Sequence, residues 1–497
     1  MPYNPSEDPP PAGTCRAVPC YSEVPMPDAV LLIDVRDFGA VGDGVTLDHA
    51  AFQRAIDKAA ARGGGMVVVS PGRYLCGTMK LSGNVRLHLE AGAEIHGSRD
   101  QADYEVICPT CVGVHARTCR ALFWADEEDD ISITGYGSIH GGGDSPLPGP
   151  EYARQRFRPA VFLFRGCKGV RMTDLLIKDS RYWTVHLLRC TDVRIHGLTI
   201  SNHRQRMASV GLVIDSSNDV LVSDCVIEAG DDGVAVKSSE LDPCENICVT
   251  NCILRSSQAA FKIGAQSVGV IRNVMCSNCI IDSSHVGIGI YMKDGGRFEN
   301  LSFCDLAITA DNEFPITVDC TARKEAAVTV PGQIFDLRLA DLTIHGRGRC
   351  YIQGHPEAPI TRMVIRDLTW AVNGFCDGRK AEKNHGSQTV DPLPGGPDRA
   401  KEPYQFVFAH VRGLRMGDVA CHLGVPLPKA DRGLLYLDDV HDAAFTDLRG
   451  LPPPDGMNAL QVHACSDLHG LSTALRTGST VISGMESGVL KAFDPHA

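Results

Sequence analysis

The stretches DVRIHGLTI (192–200), DVLVSDCVI (219–227), NICVTNCIL (246–254), NVMCSNCII (273–281) and NLSFCDLAI (300–308) decide the fold. Each opens on Asp or Asn, and the openings at 192, 219, 246, 273 and 300 recur every 27 residues. Self-similarity at a fixed period in the twenties marks a solenoid. Looser copies begin at Gly169, Asp336 and Arg362, and weaker ones near residues 413, 442 and 466. The repeat therefore runs almost to the end of the chain.

The apolar positions say which solenoid. Counted from each opening residue, offsets one, three, six and eight are apolar in nearly every copy. Offset one gives Val193, Val220, Ile247, Val274 and Leu301; offset eight gives Ile200, Ile227, Leu254, Ile281 and Ile308. Alternation within a line is a strand signal, and the break between offsets three and six is a bend between two short strands. The units contain no amphipathic helix and are rich in β-branched residues, against leucine-rich and helical repeats. The expectation is an all-β chain, a single-stranded right-handed parallel β-helix. Offset six then places Cys225, Cys252 and Cys279 in a buried ladder, as core and not as metal or redox groups.

The ends fit this reading. In 46–62, TLDHAAFQRAIDKAAAR, residues Ala51, Phe52, Ala55, Ile56 and Ala59 share one helical face before Gly63-Gly64-Gly65. Such a helix would cap the open end of the solenoid, whose strand edges otherwise invite aggregation. Residues 1–30 read as an N-terminal extension and 31–497 as one β-helix domain. The polar, Gly- and Pro-rich stretch near 376–404 reads as an inserted loop.

Composition narrows the function. The chain has 497 residues, 22% of them charged, and a net charge of −12. That balance argues against a nucleic-acid partner, which needs a basic face. The opening MPYNPSEDPPPAGTC has no basic n-region and no apolar run, so no signal peptide or membrane helix is visible. A cytoplasmic location is expected, or secretion if a signal has been removed. Among 20 cysteines the densest group is Cys108, Cys111, His115 and Cys119. These are zinc-ligand residue types, but the spacing matches no common finger, so unligated or locally paired thiols are expected.

Chemistry must come from a site on the scaffold. The outstanding candidate is Glu228-Ala-Gly-Asp231-Asp232-Gly-Val-Ala-Val-Lys237. Neighbours on a regular strand face opposite ways, which would drive one aspartate into the core. Gly230 and Gly233 allow a bend where both carboxylates emerge together. Two close carboxylates push their pKa values apart, leaving one as acid and one as base. A capped turn is the plainer reading of a DD pair taken alone.

From about Asp37 to Phe303 the chain resembles glycoside hydrolase family 28, the polygalacturonase-like enzymes. The matching pieces are DFGAVGDGVTLDHAAFQRAI (37–56), GGGMVVVSPGRYLCGTMKL (63–81), GSIHGGG (137–143), DSRYWTVHLLRC (179–190), GLVIDSSNDVLVSDCVIEAGDDGVAVKS (211–238) and GIYMK (289–293). The resemblance implies hydrolysis of an α-linked glycan with inversion, Asp231 as general acid and Asp232 as general base, and no cofactor. It also marks departures. The family's third aspartate falls on Val210, its Gly-His-Gly motif on Gln258-Ala259-Ala260, and its Arg-Ile-Lys motif on Tyr291-Met292-Lys293. Losing the arginine removes a bidentate grip on a sugar carboxylate, although Lys262 would return a positive charge. The substrate need not be galacturonan. Lys262, Tyr291, Lys293, His186, Arg204 and His285 are expected substrate contacts. Trp183, His186 and Lys237 are expected near the same cleft.

Counting by 27 places Arg204, Asp231, Gln258 and His285 in one column. An arginine there would favour ionised Asp231, leaving His285 as a possible proton donor. A polysaccharide lyase or sugar epimerase is the alternative enzyme, and a glycan-binding solenoid the non-catalytic one. The oligomeric state stays open.

Overall fold

The computed structural model describes residues 32–107, 120–143, 158–206, 208–310, 314–322, 330–373, 396–424, 432–454 and 456–471, with Val328, Leu393 and residues 482–483. Cys108, Cys111, His115 and Cys119, the segment 1–30 and residues 376–392 of the expected insertion lie outside them.

The chain is a parallel β-helix. A coil contributes three short strands, such as Val185–Leu188, Thr191–His196 and Thr199–Ser201. Each pairs in parallel with its counterpart one coil on, Leu212–Asp215, Asn218–Ser223 and Val226–Ala229. The 27-residue period is a physical register here: Val193 pairs with Val220, and Val220 with Ile247. All the offset-one and offset-eight residues named above are buried, as are the free thiols of Cys225, Cys252 and Cys279.

Backbone geometry explains the opening Asp or Asn. Residues 192, 219, 246, 273 and 300 have φ between 50° and 59°, the left-handed region that Asn and Asp tolerate best. Their side chains also run up the outside as a ladder. Asn246 Nδ2 donates to Asp219 Oδ1, Asn273 to Asn246 and Asn300 to Asn273, each at 2.9 Å. The repeat is thus set by a bend and held by a hydrogen bond at the same position.

Helix α1, His49–Ala60, buries the expected face of Ala51, Phe52, Ala55, Ile56 and Ala59 against the first strands. The weak C-terminal copies fall in strands Tyr404–Leu423, Gly433–Arg449 and Ser466–His469. Within the expected insertion, 399–401 form a short 3-10 turn and Tyr404 already belongs to a strand. No helix among the described residues is long and apolar enough to cross a membrane.

One of the three faces carries the site. Its strands are β1 (Val185–Leu188), β2 (Leu212–Asp215), β3 (Val234–Ser238), β4 (Ala259–Ser267), β5 (Val286–Met292), β6 (Ile316–Asp319) and β7 (Cys350–Gln353). Coil length changes in the turns that enter and leave this face. Val185 pairs with Leu212, 27 residues on, but Leu212 pairs with Val234, only 22 on.

Candidate active site

Strand alternation points two rows of side chains away from the core on this face. One runs His186, Val213, Ala235, Lys262, Gly289, Thr317, Tyr351; the other carries Asp215, Lys237, Tyr291, Asp319 and Gln353. On an open solenoid such rows meet water. Here every one of these residues is buried, whereas outward Leu221, Met275 and Ile280 on other faces are 43–49% exposed. Among the described residues, Tyr182 and Trp183 cover Val213 and Ala235, while Ala400 and Tyr404 cover Tyr351 and Val407. Burial of charge on this face has to be compensated group by group.

The turn 229–233 delivers the two aspartates between Val226–Ala229 and β3. Its glycines are required by close approach. A Cβ on Gly230 would lie 2.3 Å from the Arg206 carbonyl, and one on Gly233 would lie 2.5 Å from the Ala260 carbonyl. Asp232 is buried. Its Oδ2 accepts from Lys262 Nζ at 2.8 Å, and the Ala259 amide donates to Oδ1 at 3.4 Å. Asp231 is half-buried and receives no side-chain hydrogen bond among the described residues, although Ser256 Oγ donates to its backbone carbonyl at 2.5 Å. Burial, then the Asp232 carboxylate, push the Asp231 carboxyl up to about 6, against the pull of Lys262 and Lys237. One carboxyl is thus held by a lysine, and the other is raised towards neutrality.

Two buried lysines, Lys262 and Lys237, act on this pair, and a third, Lys293, is buried further along the same face. Lys262 also sits 5.6 Å from the centre of the Tyr291 ring, which lies over Gly289. Lys293 donates to Asp319 Oδ2 and to Thr321 Oγ1 at 2.6 Å. Lys237 donates to Gln266 Oε1 at 2.7 Å and lies 4.4 Å from the centre of the Trp183 ring. Among the described residues no carboxylate is within ion-pair distance of Lys237. Burial and the Lys262 charge lower its ammonium to about 8, opposed by Asp232, Asp215 and Asp231.

On the neighbouring strands, His186 is buried 3.9 Å from Asp215 and edge-on to Trp183, with ring centroids 4.7 Å apart. Burial would raise the Asp215 carboxyl, but His186 and two hydrogen bonds from Ser239, at 2.9 and 2.6 Å, hold it at about 2.

Asp231, Asp232, Lys262 and Tyr291 therefore meet as expected. Gln258 and half-buried His285 follow Asp231 on the next two rungs. Arg204 does not join that column. The 22-residue step displaces it, and its guanidinium instead donates to the carbonyls of Ser256, at 3.0 Å, and Ser283. An ionising arginine on Asp231 is thereby removed. Lys293 is in the same row system but is neutralised by Asp319. Sequence reasoning missed Asp215 and Asp319; the signal was their outward parity with Lys237 and Tyr291. Val210, in place of a third carboxylate, packs with Tyr182, Trp183, Val213 and Ala235.

The model of glycosyl hydrolases family 28 matches residues 76–362, and one of the rhamnogalacturonase A/epimerase, pectate lyase-like group matches 32–87. A probable polygalacturonase of Vitis vinifera is 31% identical over 212 residues, 41% of this chain and 43% of that protein. The chain thus matches less than half the length of such curated relatives. The exopolygalacturonase structure from Thermotoga maritima superposes with a TM-score of 0.60 at 22% identity, covering 70% of this chain and 89% of that one. The family 28 exopolygalacturonase of Yersinia enterocolitica gives 0.55 at 16%, covering 91% and 79%. The fold is their right-handed parallel β-helix. With more than half of its length matched by the family model, including both aspartates and all three lysines, the chain belongs to glycosyl hydrolases family 28.

Proposed function

We propose that this protein is an inverting glycoside hydrolase that removes an α-linked, carboxylate-bearing sugar from the end of a glycan chain. The observation that carries the proposal is the split carboxylate pair. Half-buried Asp231, titrating at about 6, is the general acid that protonates the glycosidic oxygen. Asp232, 2.8 Å from Lys262, is the base that takes a proton from the attacking water. With Val210 apolar, no carboxylate at that position shares the base's role. Inversion is carried over from the family. No cofactor is required.

Two further features set the substrate. Lys237, without a carboxylate partner among the described residues, is placed to receive a sugar carboxylate. The curated relative described above is named as a probable polygalacturonase, which acts on a uronide chain. The buried outward rows favour a pocket for a chain terminus over an open groove.

The test is product analysis on oligouronides and neutral glycosides with wild type, Asp231→Asn, Asp232→Asn and Lys237→Met. New reducing ends, released one terminal residue at a time, and loss of turnover in both aspartate variants are expected. Lys237→Met should raise KM on uronides and leave neutral glycosides unaffected. Unsaturated products would identify a lyase, and full activity in both aspartate variants would end the proposal.

A further inference from the structure

A second cluster lies away from the candidate active site, on the early coils. Glu94 and His96 are two residues apart on strand Ala93–Gly97, so they share a face. His140 ends strand Ser138–His140, which pairs in parallel with the first and sets His140 directly beside His96. The two imidazoles stack with centroids 4.2 Å apart and planes 7° from parallel. His96 Nε2 lies 3.0 Å from Glu94 Oε2, and one donor atom from each of the three residues lies within 4.8 Å of the others. All three residues are half-buried, leaving a side open to water.

We propose that Glu94, His96 and His140 form a binding site for a divalent ion of the zinc class. Two imidazoles and one carboxylate are the donor set that zinc, nickel, cobalt and copper take, while magnesium and calcium prefer oxygen throughout. An i, i+2 pair plus its neighbour on the adjoining strand converges three donors on one point, and water completes the shell. The parallel rings must rotate about χ2 to aim both lone pairs at one ion, which half-buried side chains can do.

The competing contacts are weak ones. Arg73 Nε bonds the same Glu94 oxygen at 3.1 Å, but that pair is exposed and screened by water. Ser138 Oγ lies 3.1 Å from His140 Nε2, on the same strand. Lys178 is in register with His140 on the next rung, where its flexible stem lets the ammonium swing to water. A bound ion would link two successive coils and stiffen the amino-terminal part of the solenoid.

The experiment uses the full chain, stripped with a chelator and titrated with Zn²⁺ by calorimetry, with Tm followed in parallel. One zinc per chain bound through these residues, with a rise in Tm, is expected. His96→Ala and His140→Ala should each weaken binding ~10-fold or more, and Glu94→Gln less. Their metal-free Tm and circular dichroism should match wild type. A Cys108→Ser, Cys111→Ser, Cys119→Ser variant should bind as wild type. Absence of saturable binding, or binding kept in the histidine variants and lost in the cysteine variant, overturns the proposal.

Discussion

Asp231→Asn should do two opposite things: abolish turnover and stabilise the protein, the second only at high pH. The Asp231 carboxyl is raised from 3.8 to about 6 by burial and by Asp232. A group whose folded pKa is raised contributes stability below its unfolded value, and that contribution is lost as pH rises through the folded value. In wild type the loss therefore falls between about pH 4 and 6 and is complete by pH 8. The shift corresponds to roughly 3 kcal/mol, reduced to about 1–2 kcal/mol because water reaches this half-buried group. Asparagine cannot ionise and escapes the loss. The assay is the difference in Tm between variant and wild type at matched buffers from pH 4 to 8, since a solenoid need not unfold in two states. The gap should be near zero at pH 4 and widen in favour of the variant up to pH 8. A gap that stays flat or narrows as pH rises refutes the reading of Asp231 as an acid held against its surroundings.

Three other outcomes follow from the same geometry. The kcat/KM profile should fall about tenfold per pH unit above about 6, where free Asp231 gives up its proton; a plateau to pH 8 would exclude it as the acid. Asp215→Asn should lower stability by roughly 2 kcal/mol at pH 7, because that carboxyl sits at about 2. Being depressed, its contribution is present above about pH 4 and lost as pH falls towards 2, so variant and wild type should converge in acid melts. Val210→Asp, which restores the family's third carboxylate, should lower Tm and leave the rate no higher, since it would place a carboxyl among Tyr182, Trp183, Val213 and Ala235. Rate measurements beside melts separate the two effects.

What the sequence reveals here depends on which constraints repeat. The period is legible because every coil must bend at the same place. The same Asx residues that allow φ near +55° also bond up the ladder, so Asn246, Asn273 and Asn300 mark the register twice over. The aspartate pair is legible because Gly230 and Gly233 flank it where backbone passes too close for a Cβ. Turn lengths do not repeat, and there the count fails. Arg204 lies in a turn five residues longer than the one holding Asp231, so counting by 27 sets it on the wrong rung. Asp215 and Asp319 escaped for another reason. Alternation says only that they point outward, and outward charge is ordinary on an open solenoid. Their weight comes from the cover over this face, which no local pattern encodes.

That cover gives the site a charge balance. Lys262 is matched by Asp232 and Lys293 by Asp319, while Asp215 lies beside His186 and accepts two hydrogen bonds from Ser239. Lys237 and Asp231 remain, and they titrate in opposite senses at about 8 and about 6. Below pH 6 the acid carries its proton while Lys237 keeps its charge, so the form able to protonate a leaving group is also the one with an unanswered positive charge. A sugar carboxylate, as the proposed function has it, would answer that charge beside Lys237, and its own negative charge would disfavour ionisation of Asp231 in turn. A neutral sugar in the same place would leave Lys237 on its Gln266 and Trp183 contacts and gain nothing from its charge. Under the proposed function, binding of a sugar carboxylate beside Lys237 and retention of the proton on Asp231 would be one electrostatic event.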